Sequence, residues 1–313
     1  MTNVFPKKIL LATDGSKAAE LASSAAIALA NKTHAELHVV YVGAFVPSSH
    51  IYPASKLEQI IGRITHRSQT LLGERIGLIG AAGGDVSGDH VRVGRPAEEI
   101  VALAEEIEAD LIVMGNRGLG GVRRALMGSV SDSVTRYAHC PVMVVRGAEK
   151  EERGLSLQKI LLATDGSNEA TLAAEAAAGI ARLSGSELHV VHVEEYTPPI
   201  LSDYGSFAYI DAEAIQTMVE EVDSEARKIL DEQVGHIEGA GGSVTSSCLR
   251  QGRPDREIID LAEKIGAGLI VMGSRGQGGV RRTLMGSVSD SIVRHAHCPV
   301  LVARNEKSDK QSR

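Results

Sequence analysis

Residues 111–146 read LIVMGNRGLGGVRRALMGSVSDSVTRYAHCPVMVVR, and residues 269–304 read LIVMGSRGQGGVRRTLMGSVSDSIVRHAHCPVLVAR. The two stretches are identical at 28 of 36 positions, at an offset of 158. A second pair, KKILLATDGS at 7–16 and QKILLATDGS at 158–167, repeats at an offset of 151. The offset is still 151 at ELHVV (36–40 and 187–191) and has become 158 at Leu72 and Leu230. The second copy therefore carries seven extra residues between these points, in a loop after its second strand. Repeats of roughly 20–50 residues build solenoids, whereas one of about 150 is a duplicated domain with its own core.

Within one copy, apolar runs alternate with helical patterns. Ile9 to Ala12 is a short buried strand, broken by Asp14-Gly15-Ser16 and followed by an Ala-rich helix from about Lys17 to Asn31. Leu37 to Val42 is a second strand, and a long amphipathic stretch runs from about Ser55 to Ile79. Val91 to Val93 ends a third strand, and Pro96 suits the first turn of a helix whose Ile100, Leu103, Ala104 and Ile107 recur at helical spacing. Leu111 to Met114, Ser129 to Tyr137 and Val142 to Val145 complete the unit as strand, helix and strand. This alternation predicts an α/β fold of two tandem doubly wound domains, each a five-stranded mainly parallel sheet with helices on both faces. The domains are expected at 1–147 and 155–305, with a charged linker at 148–154 and a polar tail at 306–313. The last strands of the two halves are expected to pair, since each would otherwise leave an apolar edge open.

The 313 residues carry 33 Lys and Arg against 40 Asp and Glu, for a net charge of −7. With no Trp, six Tyr and three Phe, there is little to stack on bases, and an acidic balance repels phosphate backbones, so nucleic acid is disfavoured as partner. Three cysteines without CxxC spacing fit neither a disulfide framework nor a zinc cluster. Neither a secretory leader nor an apolar run of about 18 residues is legible, so a cytoplasmic protein without membrane attachment is expected.

Ligands of doubly wound sheets bind beyond the carboxyl ends of the strands. There, after the fourth strand, both copies read G-x2-G-x9-G-S: Gly115, Gly118, Gly128 and Ser129, and Gly273, Gly276, Gly286 and Ser287. Such glycines are expected to turn with positive φ and to bring backbone N–H groups close to an anion, and Gly128-Ser129 opens a helix whose N-terminus favours phosphate. No Lys precedes Ser129 or Ser287, so the P-loop is excluded, and the first strand is followed by Asp-Gly-Ser, which disfavours a dinucleotide fingerprint.

The Gly-rich segment, the ATDGS after the first strand and the HCPV before the last resemble the universal stress protein family, in its ATP-binding, tandem form. The resemblance implies ATP as ligand, with Mg near Asp14 and Asp165. It places Asp14 and Asp165 near the ribose or the magnesium and Val42 and Val193 at the adenine, and counts Ala12 and Ala163 among the ATP-binding positions. It gives ribose and phosphates to Gly115, Gly118, Gly128 and Ser129, and to Gly273, Gly276, Gly286 and Ser287, and adds Val130 and Val288 to the ATP-binding positions. It also implies an internal pseudo-dimer of the two domains, and leaves open a homodimer of chains and an unidentified protein partner.

Plainer readings stand beside these. Asp14 and Asp165 could cap the following helix, and Ser129-x-x-Asp132 and Ser287-x-x-Asp290 have capping-box spacing. Arg123, Arg124, Arg281 and Arg282 could reach a terminal phosphate or lie in a solvated loop. Cys140 and Cys298 read as structural thiols, and His295-Ala-His297-Cys298 suggests a metal only until Tyr137 is seen in place of His295. The leading expectation is a stress-response regulator that switches conformation or assembly on binding ATP, with slow or no hydrolysis and no catalytic residue. The alternatives are an ATP hydrolase or nucleotidyl-transfer enzyme and a thiol redox sensor.

Overall fold

The computed structural model describes residues 5–45, 54–118, 127–146, 155–195, 212–276 and 285–304. The first half runs β1 (Lys8–Thr13), α1 (Lys17–Thr33), β2 (Glu36–Ala44), α2 (Ala54–Ala81), β3 (Val86–Gly94), α3 (Pro96–Glu106), β4 (Leu111–Gly115), α4 (Ser129–Tyr137) and β5 (Val142–Val145). The second half repeats it as β6 (Lys159–Thr164), α5 (Asn168–Ser184), β7 (Glu187–Glu194), α6 (Ala212–Gly239), β8 (Ser246–Gln251), α7 (Pro254–Ile265), β9 (Leu269–Gly273), α8 (Ser287–His295) and β10 (Val300–Ala303). The expected linker at 148–154 and tail at 306–313 lie outside the described residues. α2 and α6 begin 158 residues apart and β1 and β6 151 apart, which puts the seven extra residues between β7 and α6.

The strands are apolar at successive positions because both faces of the sheet are covered. Ile9, Leu11, Leu37, Val39, Leu111 and Val113 point to one face, under Ala22, Ala26 and Leu29 of α1 and Leu72 and Ile79 of α2. Leu10, Ala12, Val40, Ile112 and Met114 point to the other, under Ile100 and Leu103 of α3 and Val134 of α4. Alanine along α1 lets that helix lie close to the strands. α1 ends at His34 in the left-handed conformation (φ 56°), and α5 ends at Gly185 (φ 70°), where glycine carries no Cβ penalty.

Within each half all strand pairs are parallel, in the order β3-β2-β1-β4-β5 and β8-β7-β6-β9-β10. The halves join through β5 and β10, which pair antiparallel with Val144 opposite Val300, Met143 opposite Leu301 and Val142 opposite Val302. The result is one ten-stranded sheet. Its centre is apolar on both faces, and its edges, β3 and β8, are only half buried. The antiparallel junction turns the carboxyl ends of the two parallel halves toward opposite ends of the sheet.

Candidate functional site

β1 ends at Thr13, and the chain turns through Asp14-Gly15-Ser16 into α1. Gly15, at φ 77°, takes the left-handed conformation that makes the turn, as Gly166 does in the second half. Ser16, not Asp14, caps α1: its Oγ accepts a hydrogen bond from the Ala19 N–H at 3.2 Å, as Ser167 does from Ala170 at 3.2 Å. The capping reading of the aspartates is therefore set aside. Oδ1 of Asp14 accepts from the Ser16 N–H at 3.0 Å, and Oδ1 of Asp165 from the Ser167 N–H at 3.1 Å. These bonds orient each carboxylate and leave its second oxygen directed at the loop beyond β4 or β9. A Cβ placed on Gly118 would collide with Oδ2 of Asp14, and one on Gly276 with Oδ2 of Asp165.

That contact corrects one sequence expectation. None of Gly115, Gly118, Gly128, Gly273, Gly276 and Gly286 has a positive φ. Gly115, Gly118, Gly273 and Gly276 are required for space rather than for backbone conformation, whereas a Cβ on Gly286 would meet only ordinary contacts at 3.5 Å and beyond. Gly118 and Gly276 let the loop pass against a carboxylate. Gly115 faces the Ala18 backbone, 2.7 Å from where its Cβ would stand, so its first duty is packing β4 against α1. The loop is closed at its base by the Gly128 N–H to the Asn116 carbonyl at 2.8 Å, and by Gly286 to Ser274 at 2.9 Å. It is tied to the start of α1 by the Ser16 hydroxyl, which donates to the Arg117 carbonyl at 3.2 Å. Arg123, Arg124, Arg281 and Arg282 fall outside the described residues.

Gly128 is the N-cap of α4 and offers no side chain, so no side-chain cap bond is formed, and Gly286 does the same for α8. The Ser129-x-x-Asp132 capping box is not made: Asp132 pairs with Arg136 at 2.9 Å and Asp290 with Arg294 at 2.8 Å. The serine two residues on turns back instead, Ser131 donating to the Asn116 carbonyl at 2.9 Å. The first N–H groups of an α-helix have no acceptor within it, and the N-cap glycine brings no side chain to supply one, so each helix turns donors and its positive dipole end to the space in front.

That space is a cavity in each half. Ala12, Asp14, Val42, Gly115, Gly118, Gly128, Ser129 and Val130 all line one of about 540 Å³. Ala163, Asp165, Val193, Gly273, Gly276, Gly286, Ser287 and Val288 all line its counterpart of about 750 Å³. Both sit beyond the carboxyl ends of the strands, where the order reverses between β1 and β4 or β6 and β9, in the size range of small-molecule sites. Sequence reading did not single out Arg117 and Arg275, which line these cavities beside the glycines they precede, or His192, Glu194 and Glu195, which line only the second. The arginines could have been found from their place inside the G-x2-G step.

The other chemistry-bearing residues are otherwise occupied. Cys140 and Cys298 are buried, and burial pushes the Cys298 thiol up to about 12. Cys248 is half-buried and also raised by burial. His295 Nδ1 bonds the Ser291 carbonyl at 2.8 Å and His297 Nε2 the Ala267 carbonyl at 3.1 Å, which uses both rings locally. Among the described residues no three His, Cys, Asp or Glu side chains are grouped to hold a metal, and no helix is long and apolar enough to cross a membrane.

Comparison with known proteins accords with this architecture. The model of the universal stress protein family matches residues 6–146 and again 156–304. A universal stress protein of Methanocaldococcus jannaschii is 37% identical over 145 residues, 46% of this chain and 85% of that protein. A universal stress protein of Mycobacterium tuberculosis is 30% identical over 210 residues, 67% of this chain and 66% of that protein. The crystal structure of a universal stress protein from Archaeoglobus fulgidus superposes with a TM-score of 0.67 at 27% identity, covering 95% of this chain and 98% of that one. With two matches that together span most of its length, the chain belongs to the universal stress protein family, as a tandem member.

Proposed function

We propose that each half binds an adenine nucleotide, ATP, and that the protein is a stress-response regulator whose conformation or assembly follows nucleotide occupancy. The observation that supports this most is the convergence of all eight motif positions of each half on one cavity, with a helix N-terminus open at one side. Uncapped N–H groups and a backbone stripped of Cβ atoms suit a phosphate chain. Val42 and Val193, at the ends of β2 and β7, would border the adenine. Asp14 and Asp165 fit the ribose or a Mg ion carried with the phosphates, since each keeps one oxygen in its turn and turns the other toward the cavity loop.

Binding is the reading the site supports better than catalysis. Backbone donors hold ground-state phosphates and transition state alike, which gives affinity without acceleration. Among the described residues lining the first cavity, Asp14 is the one carboxylate, and its Oδ1 is committed to the Ser16 N–H. A ligand that favours one state shifts the population by its differential affinity, and that is the work assigned to ATP here. Denaturing freshly purified protein and weighing the released small molecules tests the reading: ATP supports a switch, whereas ADP alone or no nucleotide at all counts against a tight ATP-binding switch.

A further inference from the structure

The two cavities differ in charge, and the difference lies at the ends of β2 and β7. The first is lined there by Tyr41, Val42 and Ala44, the second by His192, Val193, Glu194 and Glu195. Among the described lining residues the first cavity has one carboxylate, Asp14, and one guanidinium, Arg117. The second has three carboxylates, Asp165, Glu194 and Glu195, and one guanidinium, Arg275. A fourth carboxylate stands just behind: Glu169 pairs with Arg275 at 3.1 Å, and its counterpart in the first half is Ala18.

Glu194 lies beside a buried histidine. The buried His192 donates from Nδ1 to the Thr164 carbonyl at 2.8 Å, and this fixes the ring with Nε2 3.5 Å from Oε2 of Glu194. Nε2 is buried without a hydrogen-bond partner, so the ring is set against the carboxylate by packing rather than bonded to it.

We propose that the two sites divide nucleotides by charge: the first takes the free triphosphate, and the second takes an adenine nucleotide of low charge, a monophosphate, or a triphosphate only when a cation neutralises it. This rests on the nucleotide reading above and refines it. Among the described lining residues the second site carries two more negative charges than the first, at the end of β7 where the adenine would lie, and their field acts on every charge of the ligand. The repulsion grows with ligand charge, about two on AMP and about four on ATP at neutral pH. The second cavity is the larger, so its discrimination against ATP does not come from size.

The test is calorimetric titration of Gly118→Val protein, which keeps the second site, and Gly276→Val protein, which keeps the first, with ATP and with AMP in chelator at low salt. The ratio of the ATP to the AMP dissociation constant should be at least about tenfold larger at the second site. Glu194→Gln with Glu195→Gln should bring it toward the first site's value. Equal ratios, or a ratio the Gln pair leaves unmoved, would overturn the charge division while leaving nucleotide binding intact. Binding of neither ligand at either site would overturn the nucleotide reading itself. If a valine variant fails to fold, the unaltered chain carries the test: ATP in chelator should bind in two separated steps that converge as salt is raised, and a single step at low salt would overturn the inference.

Discussion

Met143 of β5 lies directly opposite Leu301 of β10, and each is the other's counterpart in the repeat. A residue that pairs with its own copy marks a local two-fold axis, so the chain carries inside itself the isologous contact that homodimers build between subunits. Both side chains are fully buried, among the residues beneath α1 and α5. The valines beside them, Val142, Val144, Val300 and Val302, point to the opposite face.

This contact predicts that the halves do not fold independently of it. Leu301→Ala should cost about 2–5 kcal/mol, the usual range for a fully buried leucine. Asp at both Val144 and Val302 should cost more, because two uncompensated charges would be buried in the centre of the sheet. Thermal unfolding of the two variants checks this, and an unchanged midpoint in the double variant would contradict the arrangement.

The turn after β1 predicts a separation of stability from binding. Ser16→Ala removes the cap of α1 and should cost about 1 kcal/mol. Asp14→Asn keeps an oxygen for the Ser16 N–H, so the melting temperature should hold while ATP affinity at the first site falls. Paired denaturation and binding measurements on these two variants read the difference.

The glycines of one motif should behave unequally. A side chain at Gly115 meets the backbone of Ala18, so Gly115→Val should destabilise the first half. Among the described residues a Cβ at Gly118 meets the Asp14 carboxylate in front of the cavity, so Gly118→Val should leave most of the stability and remove the site. Circular dichroism on both, with ATP titration of the second, distinguishes packing from access.

Cys298 predicts an alkaline weakness. Its thiol is raised by burial from about 9 to about 12, so the folded state favours the protonated form. The stabilisation is complete below pH 9, where the unfolded thiol is also protonated, and is lost as pH rises from about 9 toward about 12. Stability of the native protein should therefore fall more steeply over that window than that of Cys298→Ala. Iodoacetamide at pH 8 should leave Cys298 unmodified in the folded protein, which would count against a thiol sensor at this position.

The strands with apolar residues on both faces, β1, β4 and β5, were legible because burial leaves no polar interruption, and β2 was legible from its run Val39 to Val42. β3 was legible only at its end. It starts at Val86, but as an edge strand it exposes Ser87 and Asp89 on one side and carries His90 on the other, and its periodicity is lost among them. The site was legible as a set of positions because two copies kept the same spacing while the rest diverged. Why Gly118 must be glycine was not, because that depends on its approach to Asp14 across about a hundred residues, and the Ser16 hydroxyl reaches the Arg117 carbonyl over a similar separation. The charge of the second cavity was hidden in the same way, since Glu194 and Glu195 read locally as a polar strand end.

The most direct test is calorimetric titration of nucleotide-free protein with ATP in the presence of Mg, where a neutralised ligand should fill both sites. The stoichiometry should be close to two per chain, falling to one in Gly118→Val and in Gly276→Val and to none when both are present. A stoichiometry of two that survives either substitution, or no heat of binding in the unaltered chain, would contradict the assignment of ATP to these cavities.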